Sequence, residues 1–206
     1  TKGTYKTQRI EHAFMELECC VAKPQEDGIE VFSQGQGVYE DRNSISKILG
    51  IPLENVVVSL MPNGGAFGGK EDISVQGHAS LFAHLLQLPV RVALTRPESL
   101  LMHPKRHPMS MDISMGCDKN GKLTFIKADI IGDTGAYASV GMKVLERAAG
   151  HATSVYTIPS VEILSRAVYT NNVPCGAMRG FGVNQINFAV ESCIDELCKL
   201  GGFDRW

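Results

Sequence analysis

The strongest candidate for chemistry in this chain is a glycine-rich loop, residues 64–71, which reads Gly-Gly-Ala-Phe-Gly-Gly-Lys-Glu. Its spacing matches the G-x-x-x-x-G-K frame of a nucleotide-binding P-loop, which needs Ser or Thr as the next residue to ligate magnesium. Glu71 stands at that position instead, and its negative charge would repel phosphates. The loop is therefore not expected to bind a nucleoside triphosphate.

The same loop is still suited to an anionic or oxo-rich group, because exposed backbone N–H groups and a helix N-terminus attract negative charge. We expect Glu71 to lie in the first turn of the helix that follows, with its carboxylate directed into the same cavity. The alternative is a glycine-rich turn capped by a solvated glutamate. Local spacing does not decide between the two.

A second candidate is the segment 174–185, which reads Pro-Cys-Gly-Ala-Met-Arg-Gly-Phe-Gly-Val-Asn-Gln. Phe181 stands between two glycines, so a loop can present its ring as a flat stacking surface. Arg179 lies among small residues, where the usual role of an arginine is a surface ion pair. A third candidate is the pair Glu146-Arg147, which on a helix is more often part of a solvated face.

Composition restricts the class of protein. The chain of 206 residues is 44% hydrophobic and 20% charged, with a net charge of −2, so nothing favours nucleic acid or a membrane surface as partner. No apolar run is long enough to span a bilayer. The six cysteines form no C-x-x-C pair, which favours a cytoplasmic protein with buried, inert thiols. The 21 glycines cluster at 35–37, 64–69 and 176–182.

The elements that must position these residues form an α+β pattern, with mixed or antiparallel sheets and packed helices. An Asn-Gly turn at 120–121 between two strand-like runs predicts a hairpin. Asp41 is a candidate N-cap for a helix ending at Leu49. The remaining predicted strands are 29–36, 56–60, 90–94, 109–115, 123–131 and 161–169, and the remaining predicted helices are 73–86, 143–149 and 184–200.

These motifs resemble those of the xanthine dehydrogenase and aldehyde oxidase family of molybdenum hydroxylases. The loop 64–71 is similar to the family's G-G-G-F-G-G-K-E, with Ala66 in place of the third glycine. The segment 177–185 is similar to A-F-R-G-F-G-G-P-Q; Met178 replaces a phenylalanine and Val183-Asn184 replaces Gly-Pro. The resemblance extends over all 206 residues, as the N-terminal part of a molybdenum-cofactor-binding domain within a larger subunit.

The resemblance implies cofactor contacts for four positions. Phe67 and Gly68 would approach the metal end of the molybdopterin, and backbone near Arg179 would meet the cofactor. Gln36, in the run Ser-Gln-Gly-Gln-Gly, resembles a glutamine beside the molybdenum's oxo ligand, where an amide can donate without adding charge. Gln34 competes for this role if the alignment is shifted by two residues.

Substrate contacts follow in the same way. Glu71 and Arg147 would be the catalytic side chains. Glu71 would contact the substrate ring, and Arg147 would bind and polarise a purine, because Leu-Glu-Arg-Ala resembles the family's M-E-R-A segment. Phe181 would stack on the ring, which indicates a planar substrate.

Three further segments, 11–16, 106–108 and 133–137, resemble the family and are expected to support the fold. Neither His12 nor His107 is expected to ligate a metal, because the pterin sulfurs hold the molybdenum.

The implied reaction is hydroxylation of a purine or similar N-heterocycle at an sp² carbon with oxygen from water. Electrons would leave through 2Fe-2S centres to FAD or another acceptor in other domains or subunits, and the cytosine dinucleotide form of the cofactor stays open. The family's general-base glutamate, in a G-x-G-E context, is absent from residues 1–206. We therefore expect the isolated fragment to be inactive. The alternatives are an aldehyde or other N-heterocycle oxidoreductase of this family, or an unrelated anion-binding domain.

Overall fold

A computed structural model describes residues 1–204; Arg205 and Trp206, the last two residues of the predicted domain, lie outside the described residues. Eight strands and five α-helices follow one another in this part of the chain. In chain order they are β1 (Lys2–Lys6), β2 (Cys19–Gln25), β3 (Gly28–Ser33), α1 (Val38–Leu49), β4 (Val56–Leu60), α2 (Val75–Leu86), β5 (Val90–Ala93), α3 (Arg96–Met102), β6 (Met109–Cys117), β7 (Leu123–Gly135), α4 (Gly141–Gly150), β8 (Ser160–Tyr169) and α5 (Val183–Gly201).

The chain divides into two compact units. The central unit is Glu11–Pro104, and the terminal unit combines Thr1–Ile10 with the chain from Lys105 onward. Each unit has one four-stranded mixed sheet, of order β4-β3-β2-β5 in the central unit and β1-β6-β7-β8 in the terminal unit. The predicted α+β class is therefore confirmed. The range 1–206 as one molybdenum-cofactor-binding domain stays a prediction.

In the terminal unit, β6 alternates buried and less buried residues, as a strand with one covered face should. Its buried residues Met109, Met111, Ile113 and Met115 pack in the same hydrophobic core as the apolar residues of α4 and α5. The predicted hairpin is confirmed, because β6 and β7 pair antiparallel across the Asn-Gly turn. Strands β7 and β8 are parallel, with α4 in the connection between them.

In the central unit, α1 and α2 cover one sheet face. Ala79 and Ala83 of α2 are fully buried with Val31 of β3 and Ala22 of β2 in this unit's core. Small alanines let the helix backbone lie close to the strands, which suits a thin core. Strands β3 and β4 are parallel, and α1 connects them.

Most predicted elements are confirmed to within a few residues, but three details are wrong. Asp41 is not an N-cap: α1 begins at Val38 after Gly37, and the buried Asp41 carboxylate accepts a hydrogen bond from Ser33 Oγ at 2.8 Å. Strand β3 ends at Ser33, so Gln36 lies in the loop beyond it. The third detail, Glu71, is described with the site. Strands β1 and β2 and helix α3 were not predicted.

The six cysteines, all within residues 1–204, are free thiols; Cys20, Cys175 and Cys193 are buried and the other three are half-buried. Burial raises the pKa of the Cys20 thiol to about 12, which disfavours its reactive thiolate. None of the helices in the described part of the chain is long and apolar enough to cross a membrane.

Asp133, in β7, shows how the terminal unit satisfies a partly buried charge. Burial by itself would raise the pKa of its carboxyl. Hydrogen bonds from Thr170 Oγ1, the Gly135 N–H and Asn172 Nδ2, together with the Arg9 guanidinium at 2.8 Å, lower that pKa to about 2. The four donors therefore stabilise the ionised carboxylate and tie the end of β7 to the segment after β8.

We expect the substitution Asp133→Asn to lower the free energy of unfolding at neutral pH by about 2 kcal/mol. Because the folded-state pKa is depressed, the stabilisation is present above the unfolded pKa of about 3.9 and is lost as the pH falls toward 2. Urea denaturation at pH 7 and pH 3 measures the difference between the two proteins.

The matched control is Asp129→Asn, which removes an exposed carboxylate of the same strand from its ion pair with Arg166. It should cost less than about 1 kcal/mol. A difference between Asp133→Asn and the native protein that stays constant from pH 7 to pH 3 would contradict the assigned role.

Candidate functional site

The glycine loop of the central unit surrounds the amide of Gln36. Gln36 Oε1 accepts hydrogen bonds from the backbone N–H groups of Gly68 at 3.0 Å and Lys70 at 3.3 Å. The Gln36 N–H in turn donates to the Lys70 carbonyl at 2.9 Å. These donors fix the amide orientation, since only an oxygen can accept from them. Gln36 Nε2, on an exposed side chain, has no hydrogen-bond partner within residues 1–204 and can donate to a ligand.

Lys70 does not serve the purpose it would have in a P-loop. Its side chain is only 4% exposed, and Nζ donates to the Glu16 carbonyl at 3.0 Å and to Gln34 Oε1 at 3.4 Å. Nζ also lies 4.7 Å from the centre of the Phe14 ring. Burial lowers the pKa of Lys70, with opposing effects from Glu16 and Glu18. The ammonium group therefore binds the protein itself.

Gln34, the competing glutamine, has a different environment. Its Nε2 donates to Glu16 Oε1 at 2.8 Å and its Oε1 accepts from Lys70. Both ends of this amide are thus engaged by side chains, whereas Gln36 keeps a donor available. The assignment of the oxo-ligand contact to Gln36 stays a prediction.

Close packing explains why position 69, the second of the adjacent pair Gly68-Gly69, is a glycine. A Cβ atom on Gly69 would lie 2.9 Å from both His12 Cγ and Phe14 Cε1, closer than real contacts of this kind. The absent side chain lets the loop backbone rest against these two rings. The loop geometry thus depends on residues more than 50 positions earlier in the sequence.

Glu71 does not lie in the first turn of a helix. Helix α2 begins at Val75, with Ser74 at its N-cap, and Glu71 belongs to the turn closed by its N–H to the Gly68 carbonyl at 3.3 Å. The prediction failed because residues 71–74 are bent, non-helical backbone that continues the loop. Glu71 is exposed, as is Phe67, which has a positive φ of 54° and a side chain that is 45% exposed.

In the terminal unit, Arg147 and Phe181 come together. The guanidinium carbon of Arg147 lies 5.8 Å from the centre of the Phe181 ring, within the range of a cation–π interaction. Arg147 is exposed on α4, and Phe181 is half-buried in the turn before α5. A cation and an aromatic face of this kind could bind a planar, electron-rich ligand.

Gly182 is the residue that brings Phe181 to α4. Gly180, Phe181 and Gly182 all have positive φ, and a Cβ on Gly182 would overlap the carbonyl oxygen of Val144 in α4. Only glycine permits this approach of one backbone to another. The odd flanking of Phe181 by two glycines in the sequence thus has a direct structural cause.

Arg179 contributes its backbone. Its carbonyl accepts hydrogen bonds from Arg106 at 2.7 Å and from Asn184 Nδ2 at 3.2 Å, while its side chain is exposed. Burial and the nearby charge of Arg179 lower the pKa of Arg106. Sequence reasoning placed Arg106 only in a fold-supporting segment; its run Arg-His-Pro was the available signal, but the partner lies 73 residues away.

His107 and Gln185 complete the support of this turn. Gln185 Nε2 donates to the His107 carbonyl at 3.1 Å, and His107 Nε2 lies 3.1 Å from Thr134 Oγ1. Burial lowers the pKa of His107 to about 4, so the imidazole is neutral at pH 7. These buried contacts are those of residues that hold loop backbone in place.

The two units therefore present two sets of groups. In the central unit, Phe67, Gly68 and Glu71 lie on the glycine loop, and Gln36 is hydrogen-bonded to that loop. In the terminal unit, Arg147 of α4 lies near Phe181, which with Arg179 belongs to the turn before α5. The loop N–H groups hold the Gln36 amide, and the remaining Nε2 donor could bind an oxygen-rich ligand; a protein that binds such a ligand is the class that the site indicates.

Comparison with known proteins identifies the family to which the chain belongs. The family described as molybdopterin cofactor-binding domain matches residues 1–206. A probable xanthine dehydrogenase subunit of Bacillus subtilis (strain 168) is 40% identical over 202 residues, which cover 98% of this chain and 27% of that protein. The nicotinate dehydrogenase large molybdopterin subunit of Eubacterium barkeri is 38% identical, over 98% of this chain and 48% of its own length.

A solved structure agrees with these relatives. The aldehyde oxidoreductase from Desulfovibrio gigas superposes with a TM-score of 0.95 at 27% identity, over 99% of this chain and 23% of the other. The chain belongs to the molybdopterin cofactor-binding domain family. It spans between about a quarter and a half of the length of the two curated relatives named above.

The turn at Gly182 yields a stability prediction. We expect Gly182→Ala to destabilise the protein by about 3 kcal/mol, because the new Cβ meets the Val144 carbonyl and the φ of 95° is unfavourable for alanine. Gly150→Ala is the control, since no atom lies within 4 Å of a Cβ there and α4 ends at this residue. Thermal unfolding of the two variants should separate them clearly, and equal melting temperatures would count against the close approach of Gly182 to α4.

Proposed function

We propose that the protein containing this chain is a molybdenum hydroxylase that hydroxylates a purine or similar N-heterocycle at an sp² carbon, with oxygen from water. The observation that carries the proposal is the placement of Arg147 over Phe181, which offers a charge and a stacking face to a planar ring. Membership of the molybdopterin cofactor-binding domain family supports the cofactor.

The residues of the glycine loop fit an oxo-rich group. Gln36 offers a neutral N–H donor group, and the loop N–H groups of Gly68 and Lys70 fix its orientation. Because the amide is neutral, it adds no negative charge beside the oxo group. Phe67 and Gly68 would line the cofactor, and the Arg179 segment would meet it through backbone. Molybdenum-molybdopterin, when bound, supplies the two-electron redox chemistry and the oxygen transfer.

The substrate residues would act on charge and orientation. Phe181 fixes the plane of the heterocycle by stacking, and Arg147 stabilises the negative charge that builds on the ring in the transition state. Glu71 holds the ring by a hydrogen bond. The general base is expected in another part of the subunit. Electron transfer would require 2Fe-2S and FAD in other domains or subunits, in the cytoplasm, and the cofactor could carry a cytosine nucleotide.

A second candidate function is hydroxylation of nicotinate or an aldehyde. The relative from Eubacterium barkeri, named as a nicotinate dehydrogenase subunit, is 38% identical, against 40% for the xanthine dehydrogenase-like relative. The difference is too small to assign a substrate. The two candidate functions predict different roles for Arg147 and Glu71. A purine offers more polar ring atoms to a cation and a carboxylate than an aldehyde does, so these residues should matter more for a purine.

The cofactor is tested by elemental analysis of the full-length protein. We expect stoichiometric molybdenum with extractable pterin, since the Nε2 donor of the Gln36 amide, which the loop N–H groups orient, suits an oxo-rich metal centre. The protein would be made in cells that synthesise the cofactor. If it still contained no molybdenum, the proposal of a molybdenum enzyme would be wrong.

The substrate is tested with Arg147→Met in the complete enzyme. We expect kcat/KM for hypoxanthine or xanthine to fall about 100-fold, because a transition-state charge contact is lost. For an aldehyde the change should stay within about 3-fold. Lys143→Met, which removes an exposed cation from the same helix, is the control and should leave both values unchanged. Equal losses for purine and aldehyde would assign Arg147 to the fold rather than to purine recognition.

A further inference from the structure

The central unit contains a cluster of two buried histidines and two carboxylates outside the proposed active site. His103, directly after α3, is 1% exposed, and His12 is 7% exposed. His103 Nε2 lies 3.2 Å from His12 Nδ1 and 2.8 Å from Glu11 Oε1. One ligand atom from each of the three residues lies within 4.8 Å of the others. The fold thus brings two imidazoles and a carboxylate to one point.

The tautomer of His103 follows from its other nitrogen. His103 Nδ1 lies 2.6 Å from the backbone carbonyl of Ser99, which can only accept, so Nδ1 carries the hydrogen. In the neutral ring, Nε2 then presents a lone pair toward the Glu11 carboxylate. Two acceptors at 2.8 Å repel each other unless a positive species lies between them. Histidines that ligate metals commonly have this arrangement, with the distal N–H bound to a carbonyl.

Glu18 is the second, independent observation. It is 3% exposed, and neither of its carboxylate oxygens accepts a hydrogen bond from the described residues. Its Oε1 is 3.3 Å from His103 Nδ1, close enough for an ion pair, but the Nδ1 hydrogen is directed to Ser99. A buried carboxylate without donors is costly unless positive charge is nearby. Lys70 interacts electrostatically with Glu18, but its Nζ donates to the Glu16 carbonyl and to Gln34 instead.

We propose that Glu11, His12 and His103 form a divalent-cation site, suited to Zn²⁺, that is separate from the molybdenum cofactor. This replaces the expectation that His12 ligates no metal, because the partner His103 lies 91 residues away in the sequence. Two imidazole nitrogens and one carboxylate oxygen are a donor set that zinc accepts. Ligand atoms in a tetrahedral zinc site are about 3.3 Å apart, close to the two distances from His103 Nε2. The cation also offsets the charges of Glu11 and Glu18.

The site would join two distant segments of the central unit. His12 and Glu11 precede β2, and His103 follows α3, 91 residues later than His12. His12 also lies against Gly69 of the glycine loop, where a Cβ would be 3.0 Å from Nδ1. Cation binding would therefore stabilise the surface on which the glycine loop rests. The Glu11 side chain is 23% exposed, and its Oε1 also accepts a hydrogen bond from the Ala13 N–H at 3.1 Å, which holds the carboxylate beside the two histidines.

The test uses the full-length protein, freed of weakly bound metal and titrated with Zn²⁺ and, as a spectroscopic probe, Co²⁺. We expect stoichiometric binding in the native protein, with Co²⁺ absorption typical of tetrahedral coordination. Glu11→Gln should weaken the affinity at least about 10-fold, and His12→Ala should abolish binding. His78→Ala, an exposed histidine of α2, is the matched control and should bind as the native protein does.

Two results would contradict the proposal. Equal zinc binding by the native protein, His12→Ala and Glu11→Gln would place the metal elsewhere. Absence of binding by the native protein at excess Zn²⁺ would mean that a proton alone lies between His103 and Glu11. If His12→Ala does not fold, the partly exposed and conservative Glu11→Gln decides the outcome. Molybdenum content, measured on the same samples, reports separately on the proposed enzyme function.

Discussion

Both candidate loops depend on one constraint, which is that their backbones must lie directly against neighbouring groups. Gly182 rests on the Val144 carbonyl of α4, and Gly69 rests on the rings of His12 and Phe14. No side chain larger than hydrogen fits at either position. Because the backbones approach so closely, Phe181 meets Arg147 in the terminal unit, and the N–H groups of the glycine loop reach Gln36 in the central unit.

Buried charge is the second feature that organises the molecule. Lys70 is turned inward to the Glu16 carbonyl and to Gln34, and Asp133 is held by four donors. Each charge has replaced its lost hydration with hydrogen bonds, as burial requires. Glu18 is the exception among the carboxylates discussed, because its oxygens accept no hydrogen bond within residues 1–204. That exception distinguishes the His12–His103 cluster from the ordinary ion pairs of the chain.

The elements predicted from periodicity were largely confirmed, because an alternating strand such as β6 and an apolar-striped helix such as α5 carry their burial pattern in local sequence. Helix starts were less predictable. Asp41 is an ordinary capping residue by type, yet its carboxylate is buried against Ser33, a partner on β3. Glu71 was assigned to a helix because it follows the glycine loop directly, whereas residues 71–74 extend the loop.

The sequence alone determined which residues offer chemistry, since the glycine loop, Gln36, Arg147 and Phe181 are recognisable by type and spacing. It also determined the family, because the match to the family extends over residues 1–206. Only the tertiary structure decided which residues meet. The contact of His12 with His103 spans 91 positions and that of Arg106 with Arg179 spans 73, and no local pattern encodes such pairs. These groups become neighbours only when the sheets and helices pack.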